Sequence, residues 1–129
     1  MPAERKILIV DDSRIMRNTV KSLFDDVESK CIFMEATDGE DALMQLETNH
    51  VDLVLLDWNM PKLSGIDFLK QVRAIEKYSD LPIIMVTSET AKFNVIEALK
   101  NGATDYITKP IKPELFKSKL AKLGLFNRV

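Results

Sequence analysis

Two hydrophobic patterns alternate along the chain. Short runs of aliphatic and β-branched residues are followed by stretches in which apolar residues return every three or four positions. The short runs are typical of strands buried on both faces of a parallel sheet, and the longer spacing is typical of helices with one apolar face. The predicted strands are KILIV (6–10), CIFMEA (31–36), VDLVLLD (51–57), PIIMVT (82–87) and DYIT (105–108).

A helix is predicted after each strand. Ser13 and Asp38 stand where helix N-caps are expected, and Pro113 suits the first turn of the last helix. Gly102 and Gly124 suit helix C-termini. The predicted inward faces are Met16, Val20, Leu23, Phe24 and Val27 in the first helix; Ala42, Leu43 and Leu46 in the second; Phe68, Leu69, Val72 and Ile75 in the third; Val95, Ile96 and Leu99 in the fourth; and Phe116, Leu120 and Leu123 in the fifth.

Strand and helix therefore alternate five times. This pattern predicts an α/β fold, a doubly wound five-stranded parallel sheet covered by five helices on both faces, with right-handed crossovers. No linker, charge block or low-complexity segment divides the 129 residues. We expect a single domain over residues 1–129, with no output domain.

Composition excludes several classes of protein. The chain has 18 Lys+Arg and 20 Asp+Glu residues and a net charge of −2, which disfavours a general nucleic-acid binder. Its single cysteine, Cys31, excludes an internal disulfide and a metal–thiolate cluster. No segment is apolar over the length of a membrane span, and the N-terminal apolar run is too short for a signal peptide. We expect a cytoplasmic protein without a membrane partner.

Polar residues stand where four of the predicted strands end. Asp11 and Asp12 follow the first strand, Asp57 ends the third, Thr87 ends the fourth, and Lys109 follows the fifth. Because ligands of open α/β sheets bind beyond the carboxyl ends of the strands, we expect these side chains to meet there.

Such a cluster favours phosphoryl chemistry. Two carboxylates about 5 Å apart repel by roughly 3 kcal/mol at an effective dielectric near 20, so three of them need a cation. Mg²⁺ prefers such oxygen ligands, and we assign it to Asp11, Asp12 and Asp57 with the backbone carbonyl of Asn59. Asp57 ends the most continuous apolar run and is predicted to be the nucleophile. Lys109 and Thr87 would stabilise the phosphoryl oxygens.

Each of these residues also has a structural interpretation. An aspartate after a strand is often a turn former or helix cap, Lys109 fits a solvated loop, and Thr87 fits the end of a strand. Their joint placement at the strand ends favours the functional interpretation. The chain contains no glycine-rich phosphate loop, and its only histidine, His50, makes a catalytic triad improbable.

These residues resemble a known family. The chain resembles the receiver domain of bacterial two-component response regulators, above all its stand-alone chemotaxis type. The resemblance is carried by Asp11-Asp12, the segment LLDWNMPKLSG around Asp57, the TSE at 87–89, Tyr106 and Lys109-Pro110. The resemblance covers essentially the whole chain. It implies strand order 2-1-3-4-5, a cis Lys109–Pro110 bond, and Mg²⁺-dependent transfer of a phosphoryl group from a sensor kinase histidine to Asp57.

The resemblance also implies a partner-binding face. Thr87 and Tyr106 would move together on phosphorylation and alter a surface formed by the fourth helix, fifth strand and fifth helix. An acidic segment of the flagellar motor switch would bind there, and a phosphatase is a further possible partner. Ile111 departs from the family, where an aromatic residue commonly follows the Lys-Pro pair. The remaining residues implied are Lys92, Lys119 and Lys122, which would steer the partner, and Asn59 and Glu89, which would set the rate of dephosphorylation.

The function predicted is therefore a monomeric, phosphorylation-switched signalling protein that turns over no separate substrate. One alternative is a phosphorelay intermediate that passes its phosphoryl group to a histidine phosphotransfer protein. Another is a small Mg²⁺-dependent phosphatase, which is weakened by Asn59 standing where a second aspartate would be needed. A receiver that never takes phosphate is disfavoured by the intact Asp57, Thr87 and Lys109.

Overall fold

The computed structural model describes residues 4–27, 30–58, 60, 62–88 and 92–126. Strands and helices alternate through these ranges, and one short 3₁₀ helix (Glu76–Tyr78) precedes the fourth strand. The elements are β1 (Glu4–Val10), α1 (Arg14–Ser22), β2 (Lys30–Ala36), α2 (Gly39–Thr48), β3 (Leu53–Asp57), α3 (Gly65–Arg73), β4 (Ile83–Ser88), α4 (Lys92–Lys100), β5 (Asp105–Lys109) and α5 (Pro113–Leu123).

The five strands form one parallel sheet in the order β2-β1-β3-β4-β5. This confirms the fold class and the strand order that the sequence resemblance implied. All five residues of β3 are buried, as expected for the central strand of a parallel sheet. The central position of β3 brings Asp57, its last residue, between the ends of β1 and β4.

Apolar side chains form one layer on each face of the sheet. Helices α1 and α5 cover one face, where Val20, Phe116 and Leu120 pack on β1 and β3. Helices α2, α3 and α4 cover the other. Because helices cover both faces of the sheet, the strands consist of nearly continuous apolar runs. The buried residues of the second layer that come from helices are Ala42, Leu46, Phe68, Leu69, Val72 and Ala98.

Two helices end earlier than predicted. Helix α1 stops at Ser22, but Phe24 and Val27 remain buried, since i→i−3 hydrogen bonds such as that from the Val27 amide to the Phe24 carbonyl continue the coil as tight turns. The inward face was predicted correctly and the helix length was not. Helix α3 stops at Arg73, so Ile75 lies beyond it and is 44% exposed rather than buried.

The inward face predicted for α4 is wrong. Ile96 and Leu99 are exposed, and Ala98 is the fully buried residue. The orientation of α4 is set at its C-terminus. There the Ala103 amide donates to the Ala98 carbonyl at 2.9 Å, and the Gly102 amide donates to the Leu99 carbonyl at 3.2 Å. This is a Schellman motif, with Gly102 at φ 101°, and it brings the third-last helical residue against the residue after the glycine. That pairing turns Ala98 inward and the larger apolar side chains outward.

The predicted caps are present. The Ser13 hydroxyl accepts from the Met16 amide, the Asp38 carboxylate accepts from the Asp41 amide, and Pro113 is the first residue of α5. Gly124 ends α5 at φ 70°, in the left-handed region. The helices are short, and within the described ranges none combines the length and apolar character needed to cross a bilayer.

Matched phenylalanine substitutions test this arrangement of helices. Phe116 has no exposed surface, and its ring packs edge-on against Phe24 with centroids 5.2 Å apart. We expect Phe116→Ala to lower the free energy of unfolding by about 3–5 kcal/mol, because it leaves a cavity. Phe93 on α4 is 72% exposed, so Phe93→Ala should change it by less than about 0.5 kcal/mol. Urea unfolding measures both, and similar losses in the two variants would contradict the packing described.

Candidate functional site

Three carboxylates meet at the carboxyl end of the sheet. Asp57 ends β3, and Asp11 and Asp12 follow β1, its neighbour in the sheet. One carboxylate oxygen of each residue lies within 4.8 Å of the others. Asp11 and Asp57 are buried, whereas Asp12 is exposed. The structure thus brings together the three aspartates predicted from the strand ends.

Lys109 lies beside this acidic cluster. Its ammonium is 3.3 Å from Oδ1 of Asp57 and 3.8 Å from Oδ2 of Asp11. Lys109 ends β5, two strands away from β3, and its side chain reaches past β4 to the aspartates. The Lys109–Pro110 peptide bond that follows is cis, as the family resemblance implies. One ammonium therefore faces two buried carboxylates.

The turn after β1 holds Asp11 in place. The Asp11 amide donates to the Ala36 carbonyl at 3.0 Å, and the Ser13 amide donates to Oδ1 of Asp11 at 2.8 Å. Because the Ser13 hydroxyl also caps α1, this residue joins the carboxylate to the start of the helix. Oδ1 is bound to the backbone, and Oδ2 is the oxygen that lies nearer to Lys109.

Gly65 allows the chain to fold back onto Asp57. The Gly65 amide donates to the Trp58 carbonyl at 3.0 Å, and a Cβ added at Gly65 would lie 2.4 Å from the Asp57 carbonyl oxygen. Side chains do not approach backbone so closely, so this position requires glycine. Sequence reasoning gave Gly65 no part in the site. The available signal was its place at the end of the segment LLDWNMPKLSG, which begins two residues before Asp57.

Burial disfavours the ionised form of both enclosed aspartates. Burial raises the pKa of Asp57, and the neighbouring Asp11 charge adds to the increase, while Lys109 acts in the opposite direction. Burial likewise raises the pKa of Asp11, partly offset by the hydrogen bond from the Ser13 amide and by Lys109. The nearby ammonium therefore does not fully compensate the two buried carboxylates.

The donor set fits a hard divalent cation. It offers carboxylate oxygens from three residues, one exposed and two buried, and an excess of negative charge that a divalent cation would balance. Mg²⁺ takes one or two carboxylates and completes its octahedron with water and phosphate oxygens. Asp11, Asp12 and Asp57 would hold it here. The predicted fourth ligand, the carbonyl of Asn59, lies outside the described residues.

Thr87 and Tyr106 lie on the strands next to the site. Thr87 is buried in β4, one residue beyond Val86, which pairs with Asp57 in the sheet. Thr87 in turn pairs with Thr108 of β5. Tyr106 is half-buried on β5, the edge strand, and packs against the apolar layer under α2, α3 and α4. The two residues predicted to act in switching thus lie on adjacent strands.

Lys119, which we predicted to steer a partner, makes contacts within the chain. Its ammonium lies 2.9 Å from Oδ1 of Asp105 and 4.1 Å from the centroid of the Tyr106 ring, and it also donates to the Tyr106 carbonyl. Its side chain is only 12% exposed. Asp105 therefore balances the charge of this lysine, and the ammonium also contacts Tyr106. Lys122, the other predicted steering residue on α5, is exposed. The Lys92 side chain, Asn59 and Glu89 lie outside the described residues.

A parallel five-stranded sheet with an acidic cluster and a lysine at its carboxyl edge is the arrangement that the resemblance to receiver domains implied. The model of the response regulator receiver domain matches residues 7–121, and the chain belongs to this family. It is 45% identical over 121 residues to a chemotaxis protein CheY homolog of Campylobacter jejuni, covering 89% of this chain and 88% of the relative. Membership confirms the predicted class and favours a phosphorylation-activated regulator over the phosphatase alternative.

Solved structures agree with this assignment. Chemotaxis protein CheY4 of Vibrio cholerae superposes with a TM-score of 0.81 at 34% identity, over 94% of this chain and 99% of that one. The receiver domain of sensor histidine kinase PA1611 from Pseudomonas aeruginosa superposes with a TM-score of 0.82 at 25% identity, over 95% of this chain and 99% of that one. In the PA1611 structure a magnesium ion is coordinated in the active-site cleft.

The raised pKa of Asp57 predicts a pH-dependent effect on stability. In metal-free buffer at pH 7, Asp57→Asn should raise the melting temperature, because it removes a charge that folding buries unfavourably. A carboxyl group whose pKa is raised on folding destabilises the protein increasingly as pH rises from the ordinary pKa to the raised one. The gain should therefore shrink as pH falls through the raised pKa toward the ordinary value of 3.8. Thermal unfolding between pH 4 and 8 measures it.

Asp26→Asn is the control of opposite sign. The Lys117 hydrogen bond lowers the pKa of Asp26, so this substitution should slightly lower the melting temperature at pH 7 and have no effect at low pH. A lower melting temperature of Asp57→Asn at pH 7 would show that the Asp57 charge is compensated in the folded protein.

Proposed function

We propose that this chain is a chemotaxis response regulator in which Asp57 accepts a phosphoryl group from a histidine of a sensor kinase. The observation that carries the proposal is the position of the Lys109 ammonium, 3.3 Å from Asp57 within a cluster of three carboxylates. A buried carboxylate that shares its site with an ammonium and further acidic oxygens has the groups needed to accept phosphate. The chemotaxis role is supported by the CheY relatives.

The transfer uses the side chains at the strand ends. A carboxylate oxygen of Asp57 attacks the phosphorus, the O–P bond forms, and the P–N bond to the kinase histidine breaks with its electron pair left on the imidazole nitrogen. Lys109 leaves its contact with Asp57 to neutralise a phosphoryl oxygen, and the Thr87 hydroxyl donates to another. Asp11, Asp12 and Asp57 would hold Mg²⁺, which would supply further charge neutralisation for the transferring group.

Phosphorylation would then alter a distant face. Movement of the Thr87 hydroxyl toward the phosphoryl group changes the environment of the adjacent β5, which carries Tyr106. The surface of α4, β5 and α5 presents exposed Phe93, Ile96 and Leu99 together with the cation of Lys122. An acidic segment with apolar side chains, such as one from the flagellar motor switch, fits this surface. A phosphatase that ends the signal is a further partner that we propose.

Mg²⁺ should stabilise the protein through Asp12. At about 100 times its dissociation constant, a ligand that binds only the folded state adds about 2.7 kcal/mol, which for this length raises the melting temperature by roughly 10 °C. Asp12→Ala should abolish the increase. Asp25→Ala, which removes an exposed aspartate after α1, should retain it. Scanning calorimetry with and without Mg²⁺ measures the shift, and an unresponsive wild-type protein would contradict the metal assignment.

Asp57 should be the residue that takes phosphate. Incubation with Mg²⁺ and a small phosphoryl donor should add one acid-labile phosphoryl group in the wild type and none in Asp57→Asn, as measured by intact mass. Asp38→Asn is the matched control, because Asp38 is equally buried, at 7% exposure, but caps α2. Asparagine also serves as an N-cap, so this variant should be labelled like the wild type.

Label that persists in Asp57→Asn would overturn the acceptor assignment. Mixing the phosphorylated protein with a switch peptide or with a histidine phosphotransfer domain then distinguishes a chemotaxis output from a phosphorelay. Binding of the peptide supports the proposal, whereas rapid loss of label to the phosphotransfer domain supports the relay.

A further inference from the structure

Arg17 connects the acidic turn to the edge of the sheet. It lies on α1, and its side chain is only 12% exposed. Nη1 donates to the backbone carbonyl of Asp11 at 2.7 Å, and Nε donates to Oε1 of Glu35 at 2.8 Å. One guanidinium thus bridges the residue that follows β1 and a side chain of β2. A planar guanidinium with several donors is suited to hold two acceptors in a fixed geometry.

Glu35 is itself held from several directions. Its second carboxylate oxygen, Oε2, accepts from the Lys21 ammonium at 2.7 Å, and its backbone carbonyl accepts from the Gln45 amide at 2.6 Å. The hydrogen bonds from Lys21 and then Arg17 lower the pKa of Glu35, so its carboxylate stays ionised at neutral pH. The anchor of the Arg17 guanidinium is therefore itself fixed by contacts from both α1 and α2.

The carbonyl that Arg17 binds belongs to the peptide that joins Asp11 to Asp12. The six atoms of a peptide unit lie in one plane, so fixing its oxygen also fixes the amide and the Cα atoms on both sides. Those two Cα atoms carry two of the carboxylates that form the acidic cluster. A charge-assisted hydrogen bond is about twice as strong as a neutral one. Arg17 thereby restrains the directions in which both side chains leave the backbone.

We propose that Arg17 is a positioning residue for Mg²⁺: its bridge from Glu35 to the Asp11 carbonyl holds the Asp11–Asp12 peptide in the orientation that lets both carboxylates bind the ion. The inference rests on the proposed Mg²⁺ site and adds a residue that touches neither the ion nor the phosphoryl group. Glu35 has a second effect. It holds the Arg17 guanidinium at the Asp11 backbone carbonyl and away from the carboxylates of Asp11 and Asp12, where the guanidinium would compete with Mg²⁺.

Charge alone predicts the opposite sign of effect. Removing a cation near the acidic cluster lowers the repulsion that an approaching Mg²⁺ experiences, so a purely electrostatic role would make Mg²⁺ bind more tightly in Arg17→Met. A positioning role makes binding weaker, because the peptide loses its restraint. The direction of the change in dissociation constant therefore separates the two roles.

Calorimetric titration of Mg²⁺ into the wild type, Arg17→Met, Arg17→Lys and Arg14→Met provides the test. Loss of a residue that orients metal ligands commonly weakens binding about 10-fold or more, and we expect Arg17→Met to do so. Arg14 is exposed at the start of the same helix, so Arg14→Met removes an equal charge without touching the Asp11 carbonyl. It should bind Mg²⁺ as tightly as the wild type or slightly more tightly.

Circular dichroism identifies which variants are folded. Where Arg17→Met is folded, it decides the question: a dissociation constant equal to or below that of the wild type, or a loss matched by Arg14→Met, overturns the inference. Where it is not folded, Arg17→Lys decides, since an ammonium cannot reproduce the two-acceptor bridge; weaker binding than wild type supports the inference, and equal binding overturns it. Failure of the wild type to bind Mg²⁺ would instead contradict the proposed metal site.

Discussion

Repulsion among carboxylates at the end of the sheet is the constraint on which the site depends. Asp11 and Asp57 are buried, Asp12 adds a third negative charge beside them, and the ammonium of Lys109 lies within 4 Å of the buried pair. Burial raises the pKa of both enclosed aspartates despite this ammonium, and repulsion adds to the increase, from Asp11 at Asp57 and from Asp12 at Asp11. Such a site has excess negative charge that a divalent cation would relieve, and cation binding would then add to stability.

The central strand beneath the site is fully buried, and its packing offsets the cost of the enclosed charges. Residues Leu53–Asp57 lie in the centre of the sheet with an apolar layer on each face. The acidic residues are held by backbone groups, such as the Ser13 amide at Asp11 and the fold-back of Gly65 onto Asp57. Apolar packing therefore supplies the stability, while short backbone contacts set the geometry of the charged groups.

Sequence patterns predicted the features that depend on periodicity and strand ends. The five strands, the two-sided covering and the meeting of Asp11, Asp57 and Lys109 follow from buried runs and from the parallel topology. The outward face of α4 could not be predicted in this way, because a Schellman motif at Gly102, rather than apolar spacing, determines which side of the helix turns inward. The bridge from Arg17 to Glu35 spans 18 positions between a helix and a strand, and no local pattern encodes such a side-chain contact.

Lys119 shows how one neighbouring charge changes the role of a residue. Considered alone, it is a cation on the inner part of α5 near the predicted partner face. Asp105 pairs with it and places its ammonium over the Tyr106 ring. Such cation–π contacts contribute about 0.5–2 kcal/mol, the larger values applying where the cation is shielded from water. In the proposed switch, a displacement of the Tyr106 ring would break this contact, so the ion pair between Asp105 and Lys119 would oppose that displacement. The proposed switch would therefore depend on contacts between β5 and α5 as well as on Asp57.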